Sequence, residues 1–394
     1  MRSVFRHFKG DKVLWGVVAL LAIFSFLPVF SASSNLSYVV GVGTPTGYLI
    51  KHCIILIFGF FLMFLVHKIP YSYFKGISIL SLPLVFLLLI YTASQGTVIA
   101  GANASRWIRI PVIGLSFQTS TLAFVSLLIY VAYYLAKNEG QPQPFGRAFL
   151  LLWLPIFSFV FLILPSNFST AALLFAMAFV LAFVGRHPAK YLMGIVLSGV
   201  AGFLLFILLV KAFPDSIPNR VDTWMNRIEN FNSEDNVAGN YQIERAKIAV
   251  ASGGLLGVGA GKSVMKNFLP QSSSDFIYAI IIEEYGLIGG CMLLLLYLVL
   301  LFRIVVVAYK TTDSFGKLLA VGMGLPIVFQ ALINMGVALQ VLPVTGQTLP
   351  LISSGGTSAW MTCIAFGILL SVSGNLQVSE TPSDNPLAEL SEIE

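Results

Sequence analysis

The chain has 394 residues, of which 57% are hydrophobic and only 10% charged. A soluble domain carries about 25% charged residues, so too few charges are present to coat a soluble surface of this size, and the composition defines an integral membrane protein. The net charge of +6 is spread along the chain rather than clustered, which excludes a nucleic-acid-binding patch, and neither the three cysteines nor the four histidines have disulfide or zinc spacing.

Residues 1–12 are basic, with Arg2, Arg6, Lys9 and Lys12, and form an expected cytoplasmic N-terminus. The apolar run that follows, Val13 to about Phe30, exceeds the roughly 7–15 residues of a secretory signal. It reads as a retained first helix, although Ser31-Ala32-Ser33 resembles a weak cleavage site. Further runs of spanning length lie at about 52–66, 77–93, 121–136, 147–164, 170–185, 191–212, 276–302, 318–341 and 357–374. The expected fold is therefore all-α, with about ten transmembrane helices and one long extracytoplasmic loop (about 213–274) between helices 7 and 8.

With the N-terminus inside, the inner segments hold 13 Lys and Arg residues, and the short outer loops hold three, Lys51, Arg106 and Arg109. That is a positive-inside bias. It places the long loop outside and the chain after Asn375, which carries five acids and two prolines, inside as a disordered tail over 375–394. The membrane domain is thus 13–374.

The outer loop G-A-N-A-S-R-W-I-R-I-P (101–111) offers Arg106 and Arg109 for phosphate and Trp107 for a sugar, or else an interfacial aromatic belt with snorkelling arginines. In the long loop, Val221, Trp224, Ile228 and Phe231 fall on one stripe of an amphipathic helix, lying in the interface or packed on the bundle. The Gly-rich stretch 253–263 ends in Lys262-Ser263 but has Leu256 where a nucleotide P-loop needs Gly. Two readings stand: a turn bringing Lys262 and backbone N–H groups to a phosphate, or a flexible surface turn.

Only Asp275, Glu283 and Glu284 lie in or at the edge of a spanning helix. A carboxylate in apolar surroundings is costly and is normally functional or paired. Asp275 is either a catalytic base or an acid that starts a helix by complementing its dipole. Glu283 and Glu284 point about 100° apart on the helix and so should not share one partner; a structural ion pair is expected. The turn at 343–358, with two prolines and three glycines, interrupts any helix, and irregular backbone at membrane depth belongs to a cavity or site.

These segments together resemble the SEDS family (shape, elongation, division and sporulation), FtsW-like members in particular. Its C-terminal signature matches at Asn334, Pro343, Gly346, Leu351-Ile352-Ser353, Ser354-Gly355-Gly356 and Thr357-Ser358, and departs at Gln340 and Gln347, the latter usually aliphatic. Its loop pattern matches at Tyr241-Gln242, Gly259, Gly261, Ser263, Lys266, Leu269-Pro270, Asp275-Phe276-Ile277, Ala279, Glu283-Glu284 and Gly286, and its R-W-I at Arg106-Trp107-Ile108. The usual Q-P-S-E reads Gln118-Thr119-Ser120-Thr121, without Pro or Glu. The usual Q-P-D-x-G-T falls within Leu164–Thr170, without the Asp. Gln271 replaces a usual Glu, Ser273-Ser274 a usual His-Thr, and Asn267 an acid that some members carry. Accessory acids are thinned out while Asp275 is kept.

The resemblance implies a peptidoglycan glycosyltransferase that polymerises lipid II at the outer face of the bacterial cytoplasmic membrane. Asp275 would be its base, and Arg106, Trp107, Arg109, Lys262, Lys266, Ser354, Gly355 and Gly356 would bind substrate. Mg²⁺ or Mn²⁺ is a conceivable cofactor. A class B penicillin-binding transpeptidase and other divisome proteins are the expected partners. The short N-terminus and acidic tail favour the division role over an elongation-type (RodA-like) one. A lipid II flippase or a vestigial scaffold is the alternative; a transporter should show midplane acids and two related halves, and neither is evident in the sequence.

Overall fold

The structure, a computed structural model, describes residues 9–39, 44–94, 98–99, 102–103, 107–110, 115–141, 143–212, 237–269 and 272–380. The expected amphipathic helix at 220–231 lies outside the described residues, as do 1–8 and 381–394.

Helix α1 (Lys12–Val39) is started by Asp11, whose Oδ1 accepts from the N–H of Val13 and Leu14. Thr44 caps α2 (Pro45–Val66) by accepting from Gly47 N, and Pro45 sits in the first turn, where its missing N–H costs nothing. Helix α3 (Phe74–Ser94) follows a short 3₁₀ turn. Next come two small antiparallel hairpins, β1 (Val98–Ile99) with β2 (Ala102–Asn103) and β3 (Trp107–Ile110) with β4 (Leu115–Gln118), where an outer loop is expected at 101–111. Their alternation of β-branched and aromatic residues is a strand signal too short to register against ten helices. Helix α4 is Thr119–Lys137 and α5 is Phe145–Ile163, with a π turn at Phe149–Trp153. Then come α6 (Phe168–Val184), capped by Asn167, and α7 (Ala189–Ala212).

Helix α8 (Val237–Gly253) occupies the second half of the long loop. Helix α9 (Ile277–Lys310) has 34 residues. At about 1.5 Å per residue it exceeds a hydrocarbon core of about 30 Å, and Gly286, at φ 69°, breaks it near its start. Helix α10 (Ser314–Ala338) is capped by Asp313, and α11 (Gly356–Glu380) carries the chain past Asn375, where a disordered tail was expected. Eight of the described helices are long and apolar enough to cross a membrane, and two shorter apolar ones, Phe168–Val184 and Ala189–Gly202, bring the total to the ten expected. The protein is a multi-pass membrane protein.

Helices α4, α10 and α11 are largely buried inside the bundle, whereas α2 and α3 turn most of their apolar surface outward. A side chain facing lipid need not be polar, so exposed residues such as Leu80 and Ile57 mark the bundle's perimeter. The loop before α9 and the segment joining α10 to α11 meet at one end of this bundle.

Candidate active site

Residues 272–276 form a turn that feeds α9. The helix cap is Phe276, which makes no side-chain capping bond, and Asp275 stands one residue before it. Asp275 is therefore outside the first turn of α9, where the helix-starting reading would have put it. It is half-buried. Its carbonyl accepts from Asn334 Nδ2 at 2.8 Å, and the same nitrogen donates to the carbonyl of Gln347 at 2.7 Å. Asn334, buried in the last turns of α10, thus stitches together two loops that are distant in sequence.

The 343–358 segment closes over the same turn. Ser353 Oγ donates to the Ser274 carbonyl at 2.6 Å, and Ser354 N to the Ser273 carbonyl at 2.9 Å. The strained point of this segment is Leu351, a buried leucine at φ 66°. Left-handed backbone costs a residue with a Cβ about 1–2 kcal/mol. Leu351 is held there by its neighbours: Leu349 N donates to Ser353 Oγ, and Tyr297 OH donates to the Pro350 carbonyl. Gly346, also at positive φ, faces Asp275, and a Cβ built on it would lie 3.6 Å from the Asp275 Oδ2. Of the three residues expected to bind substrate here, Ser354 is committed to Ser273, Gly355 accepts the N–H of Ala359, and Gly356 opens α11.

The two glutamates do share a partner. Ser263 Oγ donates to Glu283 Oε2, and Ser263 N reaches Glu284 Oε1 at 3.4 Å. Glu283 Oε1 also takes the N–H of Val264 and Met265, and Glu284 Oε1 takes the hydroxyl of Ser31 on α1. Helix geometry alone separates the carboxylates by 100°, but the strand of chain from 258 to 265 runs across both and supplies donors to each. Hydroxyls and backbone N–H groups hold these carboxylates, and among the described residues neither forms the expected ion pair.

The Gly-rich stretch is neither a free turn nor an open phosphate cradle. Val258 N and Gly259 N donate to the carbonyls of Glu283 and Glu284, and Leu287 N donates back to the Gly254 carbonyl. Backbone lies on backbone, so a Cβ at Gly257 would sit 2.2 Å from the Glu284 oxygen. Lys262 remains exposed. Lys266 donates to Ser31 Oγ and the Gly261 carbonyl. Arg106 lies outside the described residues. Trp107 and Arg109 are on β3, whose partner strand ends at Gln118; the Gln118 N–H is fastened to Thr357 Oγ1 at the start of α11. That bond sets the hairpin beside the loops that hold Asp275.

Behind Gly346 a cavity of about 110 Å³ descends between α4, α6, α10 and α11. Gln118, Thr121, Thr170, Gln330, Gln347 and Ser358 line it, over an apolar floor that includes Phe124, Met323 and Pro326. Sequence reasoning singled out none of these as site residues. The available signal was that two of them, Thr121 and Gln347, fall where the chain departs from the family pattern. Among the described residues no group of three or more His, Cys, Asp or Glu could hold a metal ion.

A ten-helix membrane bundle with a carboxylate clasped between two loops at one end defines a polytopic membrane protein with a single-ended site. The family described as "Cell cycle protein" (FtsW, RodA, SpoVE) matches residues 11–378, and the chain belongs to that family. It is 33% identical to a "Probable peptidoglycan glycosyltransferase FtsW" of Hydrogenovibrio crunogenus over 92% of this chain and 91% of that one. A chain in a structure described as "Structural coordination of polymerization and crosslinking by a peptidoglycan synthase complex" superposes with a TM-score of 0.71 at 25% identity, over 93% and 98% of the two chains. A mutant form of the rod shape determining protein RodA of Thermus thermophilus superposes with a TM-score of 0.65 at 25% identity, over 95% and 99%.

Proposed function

We infer that this protein is a peptidoglycan glycosyltransferase that polymerises lipid II, in the division role that the FtsW-named relatives and the cell cycle family suggest. The observation that carries the reading is Asp275: an acid whose backbone is held by Asn334 and whose carboxylate faces Gly346, a residue of the membrane cavity's lining. In the reaction, an acceptor sugar hydroxyl attacks the anomeric carbon of the donor. A new glycosidic bond forms, the bond to undecaprenyl pyrophosphate breaks, and the hydroxyl proton passes to Asp275. The leaving pyrophosphate needs positive charge. Lys262 and Arg109 are the cations assigned to it, and Lys266 joins them only by giving up its bonds to Ser31 and Gly261. No step is routed through a metal.

The positive-inside bias favours the bacterial cytoplasmic membrane with both termini cytoplasmic and Asp275 on the outer face. A class B penicillin-binding transpeptidase is the partner assigned here, by analogy with the peptidoglycan synthase complex, and other divisome proteins are expected around the pair. The test is lipid II polymerisation by the purified complex, wild type against Asp275→Asn, with and without EDTA. Glycan that disappears in the folded variant and persists in EDTA supports the reading. Retained product in the variant removes Asp275 as base; no product from the wild type would turn attention to lipid II translocation.

A further inference from the structure

At the end of the bundle opposite Asp275, a second cavity of about 360 Å³ opens where α4 and α6 end and α7 begins. Asn138, Glu139, Gln143, Arg186 and His187 are in its lining. One water needs roughly 10–15 Å³ of such space, so a group of many atoms fits. Two departures from regular backbone meet here. Arg186 closes α6 at φ 55°, a left-handed conformation that a residue with a Cβ adopts only at a cost. Its N–H donates to the Phe183 carbonyl and the His187 N–H to the Ala182 carbonyl, the helix ending in which glycine is usual at this position. The neighbouring glycine serves packing instead: Gly185 is at φ −75°, and a Cβ on it would lie 3.0 Å from Leu135 Cδ1 on α4. The chain thus carries an arginine where a glycine would relieve the backbone. The second departure is the π turn of α5, which contains Trp153. Trp153 Nε1 donates to His187 Nε2 at 3.4 Å, so the proton of the neutral ring is on Nδ1, a further donor. Local rules are broken most often at functional sites, π turns among them.

Arg186 is not needed to answer the helix ends around it. Asn138 Nδ2 takes the Tyr134 carbonyl at 2.7 Å, and the Arg186 and His187 N–H groups take the last carbonyls of α6. Nor does it neutralise the acid of the lining. Glu139 accepts from Ser314 Oγ, and among the described residues Arg186 forms no ion pair. Lys137, Arg147 and Lys190 flank the cavity along the chain, so the surrounding charge is positive. A metal cation would be repelled, and a neutral ligand would leave the guanidinium unmatched. A phosphate fits: the guanidinium fork accommodates two of its oxygens, and the N-terminus of α7, just after Pro188, adds the positive end of a helix dipole. Depth points to the source. The cavity lies where the helices leave the apolar span, beside the exposed Phe183 and Val184, and basic pockets between spanning helices at that level take anionic headgroups.

We propose that this cavity binds the phosphate headgroup of an anionic phospholipid, with Arg186 as its main contact, at the membrane face away from Asp275. The assignment does not depend on the glycosyltransferase reading, and it is measurable without any activity.

The experiment titrates the full chain in detergent with dioleoyl phosphatidylglycerol or dioleoyl phosphatidylcholine, read by native mass spectrometry, with inorganic phosphate as competitor. Phosphatidylglycerol should bind at least tenfold more tightly than phosphatidylcholine. Arg186→Gly should abolish that preference. Because glycine relieves the left-handed backbone, this variant should fold with an unchanged or higher melting temperature. Arg186→Gln, which removes the charge and keeps the backbone cost, should lose the preference to the same extent. Lys68→Gln removes a cation at the same end of the bundle but outside the cavity, where its Nζ lies over the Phe64 ring, and should keep the preference. Equal binding of the two lipids, a preference that survives Arg186→Gly, or an equal loss in Lys68→Gln overturns the proposal. A melting temperature that falls in Arg186→Gly without phosphatidylglycerol also overturns it, because the guanidinium would then serve the fold. Inorganic phosphate that displaces phosphatidylglycerol at equal concentration assigns the cavity to a soluble phosphate and overturns the lipid assignment.

Discussion

Gly286 permits α9 to break where it does. At φ 69° it takes a conformation that costs other residues about 1–2 kcal/mol, and its hypothetical Cβ would lie 2.2 Å from the Leu255 oxygen, which cannot retreat because it belongs to a packed backbone. Gly286→Ala should therefore lower the melting temperature by several degrees, whereas Gly76→Ala, with nothing within 4 Å of the added carbon, should not. Ser263 carries a different load. Ser263→Ala leaves Glu283 Oε2 buried without its hydroxyl, a loss of about 1–3 kcal/mol, and differential scanning fluorimetry in detergent would register it. At the opposite end of the bundle, burial holds His187 below its ordinary 6.5, and its ring accepts from Trp153 Nε1. The folded protein thus binds fewer protons than the unfolded chain. Stability should be full above about pH 6.5 and fall as the pH drops below it, and His187→Gln should flatten that part of a melting-temperature profile.

Among the elements, the two loops that grip Asp275 depend on a side chain from a third. Asn334→Leu removes both donations from Nδ2, to the Asp275 and Gln347 carbonyls, at a net cost of about 0.5–1.5 kcal/mol each. We expect at least a tenfold loss of polymerisation in a protein that still purifies as a single species, with faster hydrogen exchange at 273–276; unchanged exchange would show that Asn334 does not hold the turn. The strap from Gly253 to Leu269 is bound to α9 through backbone groups, so it should tolerate substitution of Lys262 and resist substitution of its packed glycines. Asn334 and Gly286 were visible in the sequence as motif letters. Their tasks were not, because a hydrogen bond between residues 59 positions apart leaves no periodic trace.

Across the whole molecule, the end opposite the site is tied by Asp11. This buried carboxylate starts α1, pairs with Arg303 on α9, and its N–H donates to Ser373 Oγ on α11. Asp11→Ala removes a cap worth about 1 kcal/mol and leaves a half-buried guanidinium without its partner. It should destabilise more than Arg303→Ala, which leaves the cap in place; equal melting temperatures would contradict this.

The ten spans, their approximate bounds and the family were legible in the sequence, because hydrocarbon thickness imposes a length and an apolar composition that a linear reading detects. The hairpins at 98–118 and the helix at 237–253 were not, since their stability comes from docking rather than from a long periodic signal. Asp275 could be picked out as an isolated acid at a helix edge. Only the tertiary structure decided that Ser263 lies across both glutamates, that the glycines mark a backbone contact, and that Thr121, Thr170, Gln330 and Gln347 line one cavity. Each of those is a meeting of segments distant along the chain. Composition and period record what one segment buries, whereas which segments meet is set by the packing of the whole bundle.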